Sequence, residues 1–238
     1  MDRVIGEIRA ILQDGGDPEL AERGKRFFKE KVTSYGFRTA EVTRIAKEFW
    51  KRIAAREKEE IFSLSEELFS SGYLEEAFIA CTWLPMLKGR FEPADMDIFE
   101  DWIGRYIKNW ATCDTFCNHT VGDLLMQFPD CTEYLLGWTG SGNRWFRRAA
   151  AVSLIVPARK GDFLPEVFAI ADRLLTDEDD LVRKGYGWLL KEASRVHRDE
   201  VFAYVQEKKP MMPKTALRYA IELMPADMRA EAMKKDWT

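Results

Sequence analysis

The sequence predicts an all-α protein, an α-solenoid of helix pairs with a concave face, and three observations predict it. Apolar residues recur at helical spacing along almost the whole chain, and period-two alternation is scarce. Helix-start residues and Gly-containing breakers punctuate that pattern at short intervals. A faint motif of two basic residues followed by a small one returns at about the length of a helix pair. No linker-like stretch interrupts the chain. A single domain over residues 1–238 is therefore expected, with about a dozen or more helices of roughly 10 to 20 residues joined by short turns.

The start signals come first. Asp17-Pro18-Glu19 supplies an N-cap carboxylate, a proline whose fixed φ suits the first turn, and an acid that meets the helix dipole. Glu92-Pro93-Ala94-Asp95 and Met212-Pro213-Lys214 also place proline where a helix can begin. Breakers fall between at Gly15-Gly16, Ser71-Gly72, Lys88-Gly89, Gly140-Ser141-Gly142 and Lys160-Gly161. The recurring motif is Trp145-Phe146-Arg147-Arg148-Ala149, then Leu181-Val182-Arg183-Lys184-Gly185, with a third instance near Lys214-Thr215-Ala216-Leu217-Arg218. Its small residues let paired helices approach closely, and stacked pairs make an extended concave surface.

Composition excludes several classes. With 46% hydrophobic and 32% charged residues among 238, the chain is neither disordered nor a membrane span, and no run reaches the ~18 apolar residues a bilayer needs. The charged start, Met1-Asp2-Arg3, lacks the apolar core of a signal peptide. Cys81, Cys113, Cys117 and Cys131 follow no paired framework and read as reduced thiols of a cytoplasmic protein. The net charge of -4 counts against a nucleic-acid partner. The charge is clustered, however. Acids occupy Glu57–Glu60, Glu66-Glu67 and Asp177–Asp180, and bases occupy Arg144-Arg147-Arg148, Arg159-Lys160 and Arg183-Lys184. A solenoid that sets these on opposite faces keeps one basic groove within an acidic total.

Three constellations carry chemistry. Trp110 and Asp114 are four apart and share a helix face, so a carboxylate lies beside an indole. The alternative is that Asp114 caps a helix while Trp110 packs inside. Around Asn143–Ala151, basic and aromatic residues interleave, and an arginine fork there fits a phosphate; a solvated helix start is the plainer reading of the pattern by itself. Trp188 follows Gly185 and Gly187, which cost a helix about 1 kcal/mol each relative to Ala, so close packing or function must offset them. A core tryptophan is the plain alternative. Cys113 and Cys117 form a single helical pair, His119 falls elsewhere on the helix and a second Cys/His pair is missing, so no metal is expected, and no phosphate-cradling glycine loop calls for a nucleotide cofactor.

Taken together, the ordered set of Trp110 with Asp114, Trp145-x-x-Arg148-Ala149-Ala150 and Gly187-Trp188-x-x-Lys191-Glu192 resembles the DNA alkylation repair family of HEAT-like repeat glycosylases, the AlkD type. The likeness extends back through Tyr35-Gly36-Phe37-Arg38-Thr39 to Asp17-Pro18-Glu19. It implies a C-shaped solenoid of antiparallel helix pairs that holds double-stranded DNA and excises N3- and N7-alkylated purines such as 3-methyladenine and 7-methylguanine. It implies that Asp114 is the catalytic carboxylate and that Trp110 and Trp188 lie against the lesion's deoxyribose. It also implies that Arg148 contacts the DNA backbone and that Thr39 lies near DNA at the far end of the groove. Phe27 stands where the family has a cleft tyrosine, and Lys191 where it has an arginine. The first keeps a ring without its hydroxyl, and the second keeps a charge without bidentate geometry.

One acid suffices for that reaction. Sugar glycosidases use two carboxylates, one to protonate the leaving group. A cationic alkylpurine departs neutral and needs no proton, so a single carboxylate can stabilise the oxocarbenium-like sugar while indole faces favour the same charge. The resemblance further implies recognition without enclosing the base in a pocket. A monomer with no cofactor and no metal is sufficient. Two other readings use the same features: a binder of damaged or branched DNA that excises nothing, kept open by Phe27, and a protein-binding scaffold, favoured by the acidic total.

Overall fold

The computed structural model describes residues 2–234, which are all-helical. Among them there is no β-strand, only an isolated parallel bridge between Thr33 and Tyr73. Among the described residues no helix is long and apolar enough to cross a membrane. Two compact units divide the chain, the first ending at Leu124 and the second beginning at Leu125.

The first unit contains α1 (Arg3–Gly15), α2 (Pro18–Lys25), α3 (Thr39–Ile53), α4 (Lys58–Ser70), α5 (Leu74–Trp83), α6 (Asp95–Tyr106) and α7 (Trp110–Phe116), with α8 (Gly122–Gln127) carrying the boundary. The start and stop chemistry operates as expected at several ends. Asp17 accepts from the Glu19 and Leu20 amides, with Pro18 first in α2. Gly72, at φ 75°, follows the end of α4. Pro93 precedes its helix by two residues, because α6 starts at Asp95, whose buried carboxylate takes both the Glu92 amide and the Lys58 ammonium. Helices α3, α5 and α7 pack in series, the stacking of alternate helices that defines a solenoid.

An aromatic cluster fills this unit. The rings of Phe62, Phe69, Phe91, Phe99, Trp102 and Phe116 meet at centroid distances of 5.4 to 6.5 Å, mostly tilted or edge-on. Residues 33–37 cross the surface as an irregular strap held by Glu75, which is 2% exposed. Its carboxylate accepts from the Ser34 hydroxyl and from the amides of Tyr35, Gly36 and Phe37. Gly36 sits at φ 92°, and a Cβ there would fall 1.9 Å from the Asp17 carbonyl oxygen, so only glycine fits.

The second unit contains α9 (Thr132–Trp138), α10 (Arg144–Val152), α11 (Ile155–Arg159), α12 (Leu164–Leu174), α13 (Asp180–Ala193), α14 (Arg198–Lys208), α15 (Lys214–Ala220) and α16 (Ala226–Ala232). Several of these are shorter than the roughly 10 residues expected; proline sets the starts of α15 and α16, and glycine follows the ends of α9 and α11 within two residues. The three helices that carry the recurring motif pack in series, α10 on α13 and α13 on α15.

The glycines of α13 separate in role. A Cβ on Gly187 would meet the Ala216 carbonyl oxygen and Tyr219 Cβ at 2.8 Å, so the residue exists to let α15 approach. A Cβ on Gly185 would meet nothing closer than Arg148 Cγ at 3.6 Å. Gly187→Ala is expected to lose about 1–3 kcal/mol by overpacking. Gly185→Ala is expected to be neutral or to gain up to about 1 kcal/mol through helix propensity. Urea unfolding of the two variants checks this, and equal effects would contradict the packing assignment.

Candidate functional site

Helix α7 is built to present one face. Asn109, extended and buried, caps it by accepting from the Thr112 amide at 2.9 Å. Cys113 and Phe116 turn inward, and Phe116 joins the aromatic cluster. The helical period then leaves Trp110 and Asp114 together on the other side, both half-buried. Asn109 therefore does the capping, and Asp114 lies one turn inside the helix, which removes the reading of Asp114 as a cap. After Phe116 the chain widens into a π turn over Cys117–Val121, where the Gly122 amide reaches back to the Cys117 carbonyl.

Trp110 is fixed from a distance in sequence. Its indole N–H donates to the Phe27 carbonyl at 3.2 Å, and its ring stacks on Phe28 with centroids 5.4 Å apart and planes inclined by 23°. Phe27 turns its own ring to solvent, 64% exposed, with the Arg26 guanidinium 5.1 Å from the ring centroid. Thus Phe28 is the aromatic partner of Trp110, and Phe27 contributes its backbone. Phe28 was missed by sequence reasoning, and the Phe27-Phe28 doublet was the signal available. Thr39 is exposed as the first residue of α3, with Arg38 at its N-cap.

In the second unit, Trp188 is half-buried on α13, and its indole N–H donates to Glu192 Oε1 at 3.2 Å. Glu192 is buried and also takes Arg159 at 2.8 Å and Arg195 at 2.6 Å. Burial alone pushes its carboxyl upward in pKa, but the two guanidiniums and the indole N–H outweigh that and hold it below the usual carboxylate range. Lys191 pairs with Glu222 at 2.7 Å. Arg148 is 5% exposed, lies against Gly185, and donates to the Leu181 carbonyl.

The charge clusters do not separate onto opposite faces in this unit. Arg144 pairs with Asp179 at 3.1 Å, Arg147 with Asp177 at 2.6 Å, and Lys184 with Asp180 at 2.8 Å. The reason is local. Asp179 caps α13 by accepting from the Leu181 amide, and Asp177 accepts from the Asp179 amide, so the acids are fixed at a helix start that α10 packs beside. All four cysteines are free and buried, and no group of three potential metal ligands occurs among the described residues.

Helix α7 thus carries a half-buried carboxylate one turn beyond a braced indole on the same face. The family comparison is specific: the profile described as DNA alkylation repair enzyme matches residues 8–224. The chain belongs to that family. A solved structure from Enterococcus faecalis, described as a predicted DNA alkylation repair enzyme, shares the fold, with a TM-score of 0.79 at 17% identity over 89% of this chain and 97% of that one. The Pseudomonas fluorescens alkylpurine DNA glycosylase AlkC, bound to DNA containing an abasic site analog, is similar at a TM-score of 0.49 and 14% identity, over 92% of this chain and 60% of that one. Comparison with curated proteins finds no match.

Proposed function

We propose that this protein is a DNA glycosylase that hydrolyses the N-glycosidic bond of cationic N3- and N7-alkylated purines in duplex DNA. The observation that carries the reading is the half-buried pairing of Asp114 with Trp110 on α7, in a chain of the alkylation repair family. The Asp114 carboxylate stabilises positive charge as it develops on the deoxyribose, and its half-burial strengthens that field relative to open water. The bonding pair of the glycosidic bond leaves with the purine, which departs neutral. Water adds to the sugar carbon and gives its proton to Asp114 or to solvent. The Trp110 face, braced by Phe28, favours the same cation.

Trp188 is assigned to the same reaction on the strength of the resemblance. Thr39, Phe27, Arg148 and Lys191 are assigned to DNA; Thr39 and Phe27 are exposed for it, whereas Arg148 and Lys191 are engaged with Leu181 and Glu222. The same reading has the protein act as a cytoplasmic monomer, without metal or cofactor, on bases it does not enclose.

The test is direct. Incubation with methylated duplex DNA is expected to free 3-methyladenine and 7-methylguanine, identified by mass spectrometry. Uracil-containing duplex is expected to release nothing, because a neutral base needs help in leaving. Absence of any freed alkylpurine in single-turnover conditions would refute the glycosylase reading.

A further inference from the structure

Four arginines of the basic clusters, Arg144, Arg147, Arg148 and Arg159, are each tied to a carboxylate or a carbonyl of their own unit. A different stretch is not neutralised. Residues 23–31 carry Arg23, Lys25, Arg26, Lys29 and Lys31 against the single acid Glu30. All five cations are exposed. Lys25 pairs with Glu22, whereas Arg23, Arg26, Lys29 and Lys31 make no ion pair with any described residue. Among them stands Phe27, the most exposed large apolar side chain among the described residues.

This strip is fastened to the candidate site. The carbonyl of Phe27 holds the Trp110 indole, and Phe28 stacks on it, one helical turn before Asp114. A carboxylate that must work on DNA repels the phosphates on either side of the sugar it serves, and adjacent cations offset that repulsion. A basic turn interleaved with an outward ring is also how proteins grip a nucleic-acid strand, phosphates on the cations and a base face on the aromatic.

We propose that residues 23–31 bind the DNA strand presented to Asp114, with Arg23, Arg26, Lys29 and Lys31 on its phosphates and the Phe27 ring against a base face. The proposal rests on the glycosylase reading for the identity of the strand.

The experiment measures binding of the intact protein to a fluorescein-labelled duplex holding one abasic-site analogue, as a function of salt. Replacing Arg23, Arg26, Lys29 and Lys31 together by Ala is expected to reduce the slope of log K against log salt by about 3–4, at ~0.9 per phosphate contact. Phe27→Ala is expected to weaken binding roughly 5- to 150-fold with the slope unchanged. Lys88→Ala, at another exposed cation, is expected to change neither. Thermal unfolding confirms that the variants fold; should the fourfold variant fail, Arg26→Ala with Lys29→Ala is expected to lower the slope by about 2. A wild-type slope in the strip variants, or an equal loss in Lys88→Ala, overturns the proposal. If the wild type still frees alkylpurines in that case, the glycosylase reading survives it. Altered slopes without base release would sink only the enzymatic reading, and tight binding of an acidic protein in place of DNA would overturn the strip's assignment.

Discussion

Asp114→Asn is expected to slow release of 3-methyladenine and 7-methylguanine by roughly 10²–10³-fold, the scale of removing one preorganised electrostatic stabiliser from a transition state. The substitution keeps the size and planarity of the side chain. Trp110 keeps its bond to Phe27 and its stack on Phe28, because neither contact involves Asp114. The cap of α7 is equally untouched, since Asn109 supplies it. Affinity for an abasic-site duplex is expected to hold or rise, as a negative charge facing a polyanion is removed. Single-turnover rates at saturating protein separate the two effects. An unchanged rate would strip Asp114 of its catalytic role, whereas a proportionate loss of binding would make it a DNA-contacting residue.

Glu75→Ala carries the largest expected loss of stability, about 3–5 kcal/mol, which corresponds to a fall of roughly 10 °C in Tm for a chain of this size. The carboxylate is 2% exposed and satisfies three successive backbone amides, of Tyr35, Gly36 and Phe37, together with the Ser34 hydroxyl. Removing it leaves those donors without their acceptor. Beside it, Glu76 takes the Tyr35 hydroxyl and Arg9, so the strap has a second anchor and is expected to loosen before the unit unfolds. Circular dichroism melts check the size of the effect. A midpoint within about 2 °C of wild type would mean that water replaces the carboxylate at little cost.

Much of the fold was legible because its signals are local. The helical period, the Asp17-Pro18 start and the glycine stops each act within a few residues, and they reappear as helix ends. Even the faint basic-then-small motif located the serial packing of α10, α13 and α15. Glu75 and Glu76 were opaque for the opposite reason. In sequence they are an ordinary acidic first turn of α5, and only a strap delivered from about 40 residues away makes burial of both carboxylates favourable. The pairing of Arg144 and Arg147 with Asp179 and Asp177 failed to announce itself likewise, because charge clusters show composition but not which helix lies beside them. At the candidate site, the spacing of Trp110 and Asp114 was readable, since one helix carries both. The bracing of Trp110 by Phe27 and Phe28 was not, since it joins segments more than 80 residues apart.

The π turn after Phe116 has a geometric consequence. Within it, Asn118 Oδ1 and Thr120 Oγ1 are shut away from solvent without a hydrogen-bond partner among the described residues. Upstream, Asp114 is clamped by the Asn109 cap and by Phe116 wedged among rings. The widening therefore falls behind the carboxylate, and the register of Asp114 on its cap is set wholly by the regular turn of α7.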